Sequence, residues 1–380
     1  MKKRSVIILV SVVLLIIIVG FAAVYFLNQD VRQAVKGAYS AISGIKAYDD
    51  VRKVGQEYVS KDISGLDLSK SADILPTLWF NKDTEWPASM PPDCDPGELL
   101  EKAKNPGLGV GKLHDEGITG KGVNVAIIDQ PMYLDHPEFA GKVKAYRDFG
   151  CGSQSSMHGP AVASLLVGDT IGTAPEANLY YAAAPSWLRD SSYYAQALEW
   201  IVEENSKLPE SNKIRAVSVS AAPSGDGSPF SKNNELWDEA VKKAEEAGIA
   251  VLDCTSDHGF VSPCYYDGGD QEEPSSYKGG FPSVRSSWPM PDNIFVPTSP
   301  RTTAEEYVKG ECKYQYTGQG GLSWGIPYCT GVMAMGWQIN PDLTYGQMID
   351  LLFESAYKVD EGTLIIDPPA FIELVKKSAQ

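Results

Sequence analysis

The run Val123-Asn124-Val125-Ala126-Ile127-Ile128, entered through Gly120-Lys121-Gly122 and closed by Asp129, constrains this chain more than any other stretch. Its apolar residues do not alternate with polar ones, so one solvated face is excluded. A strand of this kind is covered on both sides, as in the centre of a parallel sheet. Parallel strands need crossover helices, and strands and helices do alternate downstream. Residues 177–184, 214–220 and 249–255 read as strands, and 192–206 and 232–247 as helices. The expectation is an α/β fold of three layers, with a central, mostly parallel sheet and helices on both faces. Residues 343–356 and 370–377 read as further helices. Residues 259–300 are rich in Gly, Pro and Ser, and read as surface loops around a cleft.

Sites in open α/β sheets lie beyond the carboxyl ends of their strands, which makes Asp129 a functional candidate rather than a simple turn or capping residue. His158 opens an apolar stretch, and Gly159, Ala161, Ala163 and Ser164 let that stretch pack closely as a helix. Ser323 lies in Gly321-Leu322-Ser323-Trp324-Gly325-Ile326-Pro327, ahead of an apolar helical pattern that reaches Ile339. A hydroxyl at a helix N-terminus suits a nucleophile, because the helix dipole favours developing negative charge there. Gly321 to Gly325 also fits the G-x-S-x-G elbow of esterases, whose chain order is Ser, acid, His. The four histidines (His114, His136, His158, His258) all precede Ser323, so the elbow has no base. The order acid, His, Ser stays open.

Together these blocks resemble the subtilisin (subtilase) family of serine peptidases, over about residues 108–377. Val125 to Asp129, with Asp135-His136-Pro137-Glu138-Phe139 behind it, is similar to the acid block. His158 to Ser164 is similar to the histidine block, and Gly321 to Gly331 to the serine block. The resemblance implies an Asp129–His158–Ser323 triad, with Ser323 attacking the scissile carbonyl, His158 moving the proton and Asp129 orienting the imidazole. It implies that Ser218, Val219, Ser220 and Ala221 form the strand that pairs with a peptide or protein substrate. It also puts Asp257, with Ser323, at the oxyanion hole, where the family pattern has Asn. An ionised carboxylate donates no hydrogen bond, and a lost donor costs about 2.7–4 kcal/mol. The expectation is reduced turnover that improves toward mildly acid pH, where Asp257 protonates. Further departures are Gln130-Pro131, Pro160, Ala161 and Leu322. Gly168 runs almost directly into Gly172, so no calcium is expected at the family's usual loop, and no metal or cofactor is expected elsewhere. The competing reading is a module of this fold that has lost efficient chemistry and binds peptides or partner proteins.

The remainder of the chain gives context. Lys2, Lys3 and Arg4 precede an uncharged apolar run over 5–27, and a bilayer-crossing helix needs ~20 residues. The positive-inside rule then places the later residues outside the cytoplasm. The expected division is 1–28 as cytoplasmic tip and transmembrane signal-anchor, 29–105 as stalk, linker or pro-like segment, and 106–380 as the peptidase-like domain. A cleaved and secreted form is the alternative to a single-pass membrane protein. The stalk reading rests on helix-compatible polar residues up to 75, followed by proline-rich chain over 76–96 expected to wrap the domain surface. A formal net charge of −16 argues against nucleic acid as partner. Six cysteines without C-x-x-C spacing make a zinc site unexpected and leave disulfides and free thiols both open. Nothing in the sequence sets the oligomeric state.

Overall fold

The computed structural model describes residues 57–152, 154–255, 259–282, 292–360 and 363–379. The expected membrane segment lies outside them; among the described residues no helix is long and apolar enough to cross a membrane.

The first elements are β1 (Trp79–Asn81), α1 (Pro96–Lys102) and α2 (Val110–Asp115). Next come the predicted central strand, β2 (Asn124–Asp129), and an unpredicted β3 (Val143–Asp148). β3 escaped notice because it is a half-exposed strand with mixed polarity (Val-Lys-Ala-Tyr-Arg-Asp) and carries no apolar run. α3 (His158–Val167), β4 (Asn178–Ala183), α4 (Ser192–Ser206), β5 (Ile214–Val219), α5 (Asn234–Glu246) and β6 (Ala250–Leu252) follow the expected alternation. The strands form one five-stranded parallel sheet of order β3-β4-β2-β5-β6.

β2 is buried at all six positions, as a strand covered on both faces must be. Its side chains divide by the period of two. Val125 and Ile127 enter one core, with Val162 and Leu166 of α3; Ala126 and Ile128 enter the other, with Leu198 and Ile201 of α4 and Trp237 of α5. Asp129 continues the Val125–Ile127 face and so comes out on the α3 side.

Residues 259–300 differ from the expected surface loops. They contain β7 (Val261–Tyr266), β8 (Tyr277–Gly279) and β9 (Ile294–Ser299). After β10 (Arg301–Glu305) and β11 (Lys313–Thr317) comes the long helix α6 (Leu322–Ile339), then α7 (Tyr345–Ser355), β12 (Tyr357–Asp360), β13 (Thr363–Ile365) and α8 (Pro368–Ser378). A second five-stranded sheet has the order β12-β13-β9-β7-β8. The Gly/Pro signals do mark turns here. The strands between them are obscured because β7 and β9 each carry an internal proline, Pro263 and Pro297, and β8 has only three residues, although all six residues of β9 are buried. α6 packs on β5, β7 and β9, and so joins the two sheets.

The described part of the expected stalk is not a free helix. Tyr58, Ile63 and Leu68, five residues apart, are fully buried, and their amides donate to Trp79 O, Glu85 O and Ser89 O at 2.7, 2.9 and 2.8 Å. Between them, Asp62 and Asp67 accept from the backbone of Ser64 and Ser69 in Asx turns. A five-residue repeat of turns satisfies the backbone that a helix would have satisfied. β1 then adds antiparallel to β11, and Phe80 stacks on Tyr316 at 4.5 Å and meets Trp86 edge-on at 5.0 Å. Residues 57–89 are therefore packed against the domain.

All six cysteines are free thiols, and Cys264 and Cys329 serve as small apolar core residues.

If this arm is integral, Phe80→Ala should destabilise the full chain by about 3–5 kcal/mol, read from urea unfolding midpoints. A loss well under 1 kcal/mol would mean that the arm is peripheral.

Candidate active site

The three residues singled out by the sequence reach one side of the sheet by separate routes. Asp129 ends β2 on the α3 face and is 2% exposed, so its carboxylate needs internal partners. It has two: Oδ1 accepts from Gln130 N at 2.7 Å and meets His158 Nδ1 at 2.7 Å. His158 stands at the first position of α3, and Pro160 is tolerated two residues later because first-turn amides have no helical acceptor. Gly159 is required sterically. A Cβ there would come within 2.3 Å of Gln130 O and 2.7 Å of Tyr181 Oη, so the turn of α3 that carries His158 lies directly on the chain leaving β2.

Ser323 is the second residue of α6 and half-buried. Pro327 has no amide hydrogen, so the carbonyl of Ser323, four residues back, loses its helical partner. Ser220 replaces that partner: its Oγ donates to Ser323 O at 2.8 Å. In return, Ser323 Oγ donates to Ser220 O at 3.2 Å. This reciprocal clasp ties the end of β5 to the start of α6. The sequence pointed to Ser220 only as a backbone for substrate. The signal for its second role was Pro327.

Asp129 and His158 are thus joined directly and line one cavity with Ser220, to which Ser323 is held. Ser323 is not itself in that lining, and among the described residues no hydrogen bond joins it to His158. That cavity, of about 250 Å³, is lined by Asp129, His158, Ser220 and Ala221 among others. A larger cavity of about 720 Å³, between Tyr265, Tyr316 and Pro300, touches none of the three candidate residues. Trp324 links the parts, its ring 5.5 Å from that of His158 and 6.4 Å from that of Trp79. Ser218 and Val219 are buried at the end of β5; the Ser218 hydroxyl has no partner among the described residues. Asp257 lies outside the described residues.

The histidine of the acid block has a structural task. His136 is fully buried, with Nδ1 accepting from Glu138 N at 3.2 Å and Nε2 meeting Lys313 O at 2.9 Å. Burial pushes its pKa down, which keeps this ring neutral. Glu138 in turn holds Thr170 and Tyr314, closing the short Gly168–Gly172 turn from below.

His158 behaves differently. Burial depresses its pKa, but the charge of Asp129 and the hydrogen bond to it outweigh that effect, and the net position lies above the ordinary 6.5. The bond at Nδ1 leaves Nε2 as the ring atom available to a reacting group. The arrangement can take a proton at Nε2 and stabilise the resulting imidazolium against a buried carboxylate.

Comparison with known proteins bears on the family and the fold. Residues 120–288 match the model of the subtilase family. The chain is 26% identical over 277 residues to serine protease AprX of Bacillus subtilis, covering 62% of this chain and 61% of that protein. It is 23% identical over 301 residues to the subtilisin-like protease PopC of Myxococcus xanthus, covering 69% and 61%. It therefore spans about three-fifths of the length of these two relatives. Among solved structures it shares its fold with fervidolysin from Fervidobacterium pennivorans, a keratinolytic enzyme related to subtilisin, with a TM-score of 0.52, 18% identity, and coverage of 70% of this chain and 44% of that one.

A raised His158 sets a sign for pH dependence. If its neutral form acts as base, activity should fall as pH drops through a value above 6.5. Asp129→Asn removes the charge that holds the proton. The acid limb of kcat/KM should then move to lower pH, with turnover reduced by about 10⁴. An unmoved limb would dissociate Asp129 from the titration.

Proposed function

We propose that this chain, with its subtilisin-like fold, is a serine endopeptidase that cleaves peptide or protein substrates through an acyl-enzyme. The observation that carries the reading is the 2.7 Å contact between Asp129 and His158, placed at the edge of the cavity where Ser220 clasps Ser323. In this reading Ser323 Oγ leaves the Ser220 carbonyl, turns toward His158 Nε2 and attacks the scissile carbonyl as its proton passes to Nε2. His158 returns that proton to the leaving amine. Water then repeats the sequence on the ester. Throughout, Nδ1 keeps its bond to Asp129. The peptide lies extended along Ser218 to Ala221. The backbone amide at Ser323 and the side chain of Asp257 face the oxyanion. The apolar run over 5–27 anchors the protein, with the catalytic domain outside the cytoplasm.

One observation supports a second reading. The Ser323 hydroxyl is bonded to Ser220 O rather than to the imidazole. A peptide-binding module without turnover would leave that bond in place.

Cleavage of a mixed peptide library by the full chain in mild detergent separates the two. The enzyme reading predicts cleavage that Ser323→Ala abolishes. Asp257 donates only when protonated and His158 accepts only when neutral, so the profile should be bell-shaped. Asp257→Asn should raise kcat by about 10²–10³ and remove the alkaline limb. No cleavage by the folded protein at any pH would favour the binding module. Cleavage with an unchanged Asp257→Asn profile would remove Asp257 from the oxyanion hole while leaving the triad.

A further inference from the structure

The cavity beside His158 has a charge that the reaction does not use. Its apolar part is made by Ala221 and by Tyr194 and Phe230, both almost fully buried and packed edge to face at 5.1 Å. Its carboxylate, Asp129, is engaged with His158 and Gln130. The cation in its lining is Arg189.

Arg189 sits where its backbone is least comfortable. It closes the short helical turn Ser186–Leu188 at φ 51 and ψ 38, in the left-handed region that glycine enters freely and side chains with a Cβ resist. Two hydrogen bonds fix it there, Arg189 N to Ser186 O at 3.1 Å and Ser231 N to Arg189 O at 3.0 Å. A strained non-glycine residue held at the edge of a site is a reason to ask what its side chain does. Among the described residues no hydrogen bond or ion pair holds the guanidinium, and the residue is exposed. The adjacent Asp190 is not its partner, since that carboxylate accepts from Ser192 N, Ser192 Oγ and Asn233 Nδ2. On a chain of formal charge −16, a free planar fork of donors at the mouth of an aromatic-floored cavity is matched to a carboxylate on a short apolar stem.

We propose that Arg189 makes this cavity a specificity subsite for an acidic side chain, Glu or Asp, of a peptide bound beside His158. The inference rests on the cavity being where the peptide lies, and it deepens the proposed function without requiring turnover. The acidic side chain places its methylenes on Tyr194 and Phe230 and its carboxylate on the guanidinium.

Binding to the full chain carrying Ser323→Ala, in mild detergent, tests this without cleavage. Fluorescent peptides that differ only by Glu, Gln or Lys at each position in turn are titrated by anisotropy. At one position Glu should bind about three- to tenfold tighter than Lys, with the gap narrowing at high salt. Adding Arg189→Gly should erase the preference without lowering the melting temperature, because glycine relieves the left-handed strain. Adding Arg189→Glu should reverse it. A preference absent at every position, a preference that survives both variants, or no peptide binding at all would overturn the assignment. The outcome is separable from that of the proposed function. An Arg189-dependent preference in a chain that never cleaves keeps the subsite and removes the enzyme. Cleavage without a charge preference does the opposite.

Discussion

A carboxylate at the end of a strand buried on both faces cannot be left without partners, and the site follows from that constraint. β2 must be apolar to sit between two helical layers, and Asp129 is carried inward with it to 2% exposure. Burying an unpaired carboxylate is prohibitive, so the backbone of Gln130 and the ring of His158 satisfy it. The same bond that keeps the fold tolerable orients the imidazole and raises its affinity for a proton. Fold and chemistry meet in one interaction.

The other contacts hold that interaction in place. Gly159 lets α3 rest on the chain leaving β2, with no room for a side chain between them. Pro327 leaves the Ser323 carbonyl open, and Ser220 fills it, fixing the start of α6 to the end of β5. The N-terminal arm reaches the same place from outside. Trp79 donates to Gln319 O at 3.2 Å, four residues before Ser323, and its ring approaches Trp324, which in turn abuts His158. The described part of the arm thus packs beside the start of α6 and the ring of His158.

Much of this was legible in the sequence. The uninterrupted apolar run of β2 announced a strand covered on both faces, and the order of Asp129, His158 and Ser323 excluded the esterase elbow. The helix at 192–206 was readable to its ends because its apolar positions repeat cleanly. Other features were hidden for physical reasons. β7 and β9 each contain a proline and β8 has three residues, all among turn residues, and only their place in a second sheet reveals them. The start of the arm, Tyr58 to Leu68, has a five-residue period, which neither the helical nor the strand template detects. Arg189 looked like any surface arginine, because a left-handed backbone and proximity to His158 are properties of the folded chain.

The central claim is that Asp129 and His158 activate Ser323. Labelling the full chain with a fluorophosphonate, from about pH 5 to 8, and mapping the adduct by mass spectrometry tests it most directly. The account predicts one adduct, on Ser323, formed more slowly as His158 becomes protonated and lost in His158→Ala. A folded protein that takes no label across that range, or takes it on another residue, would contradict it.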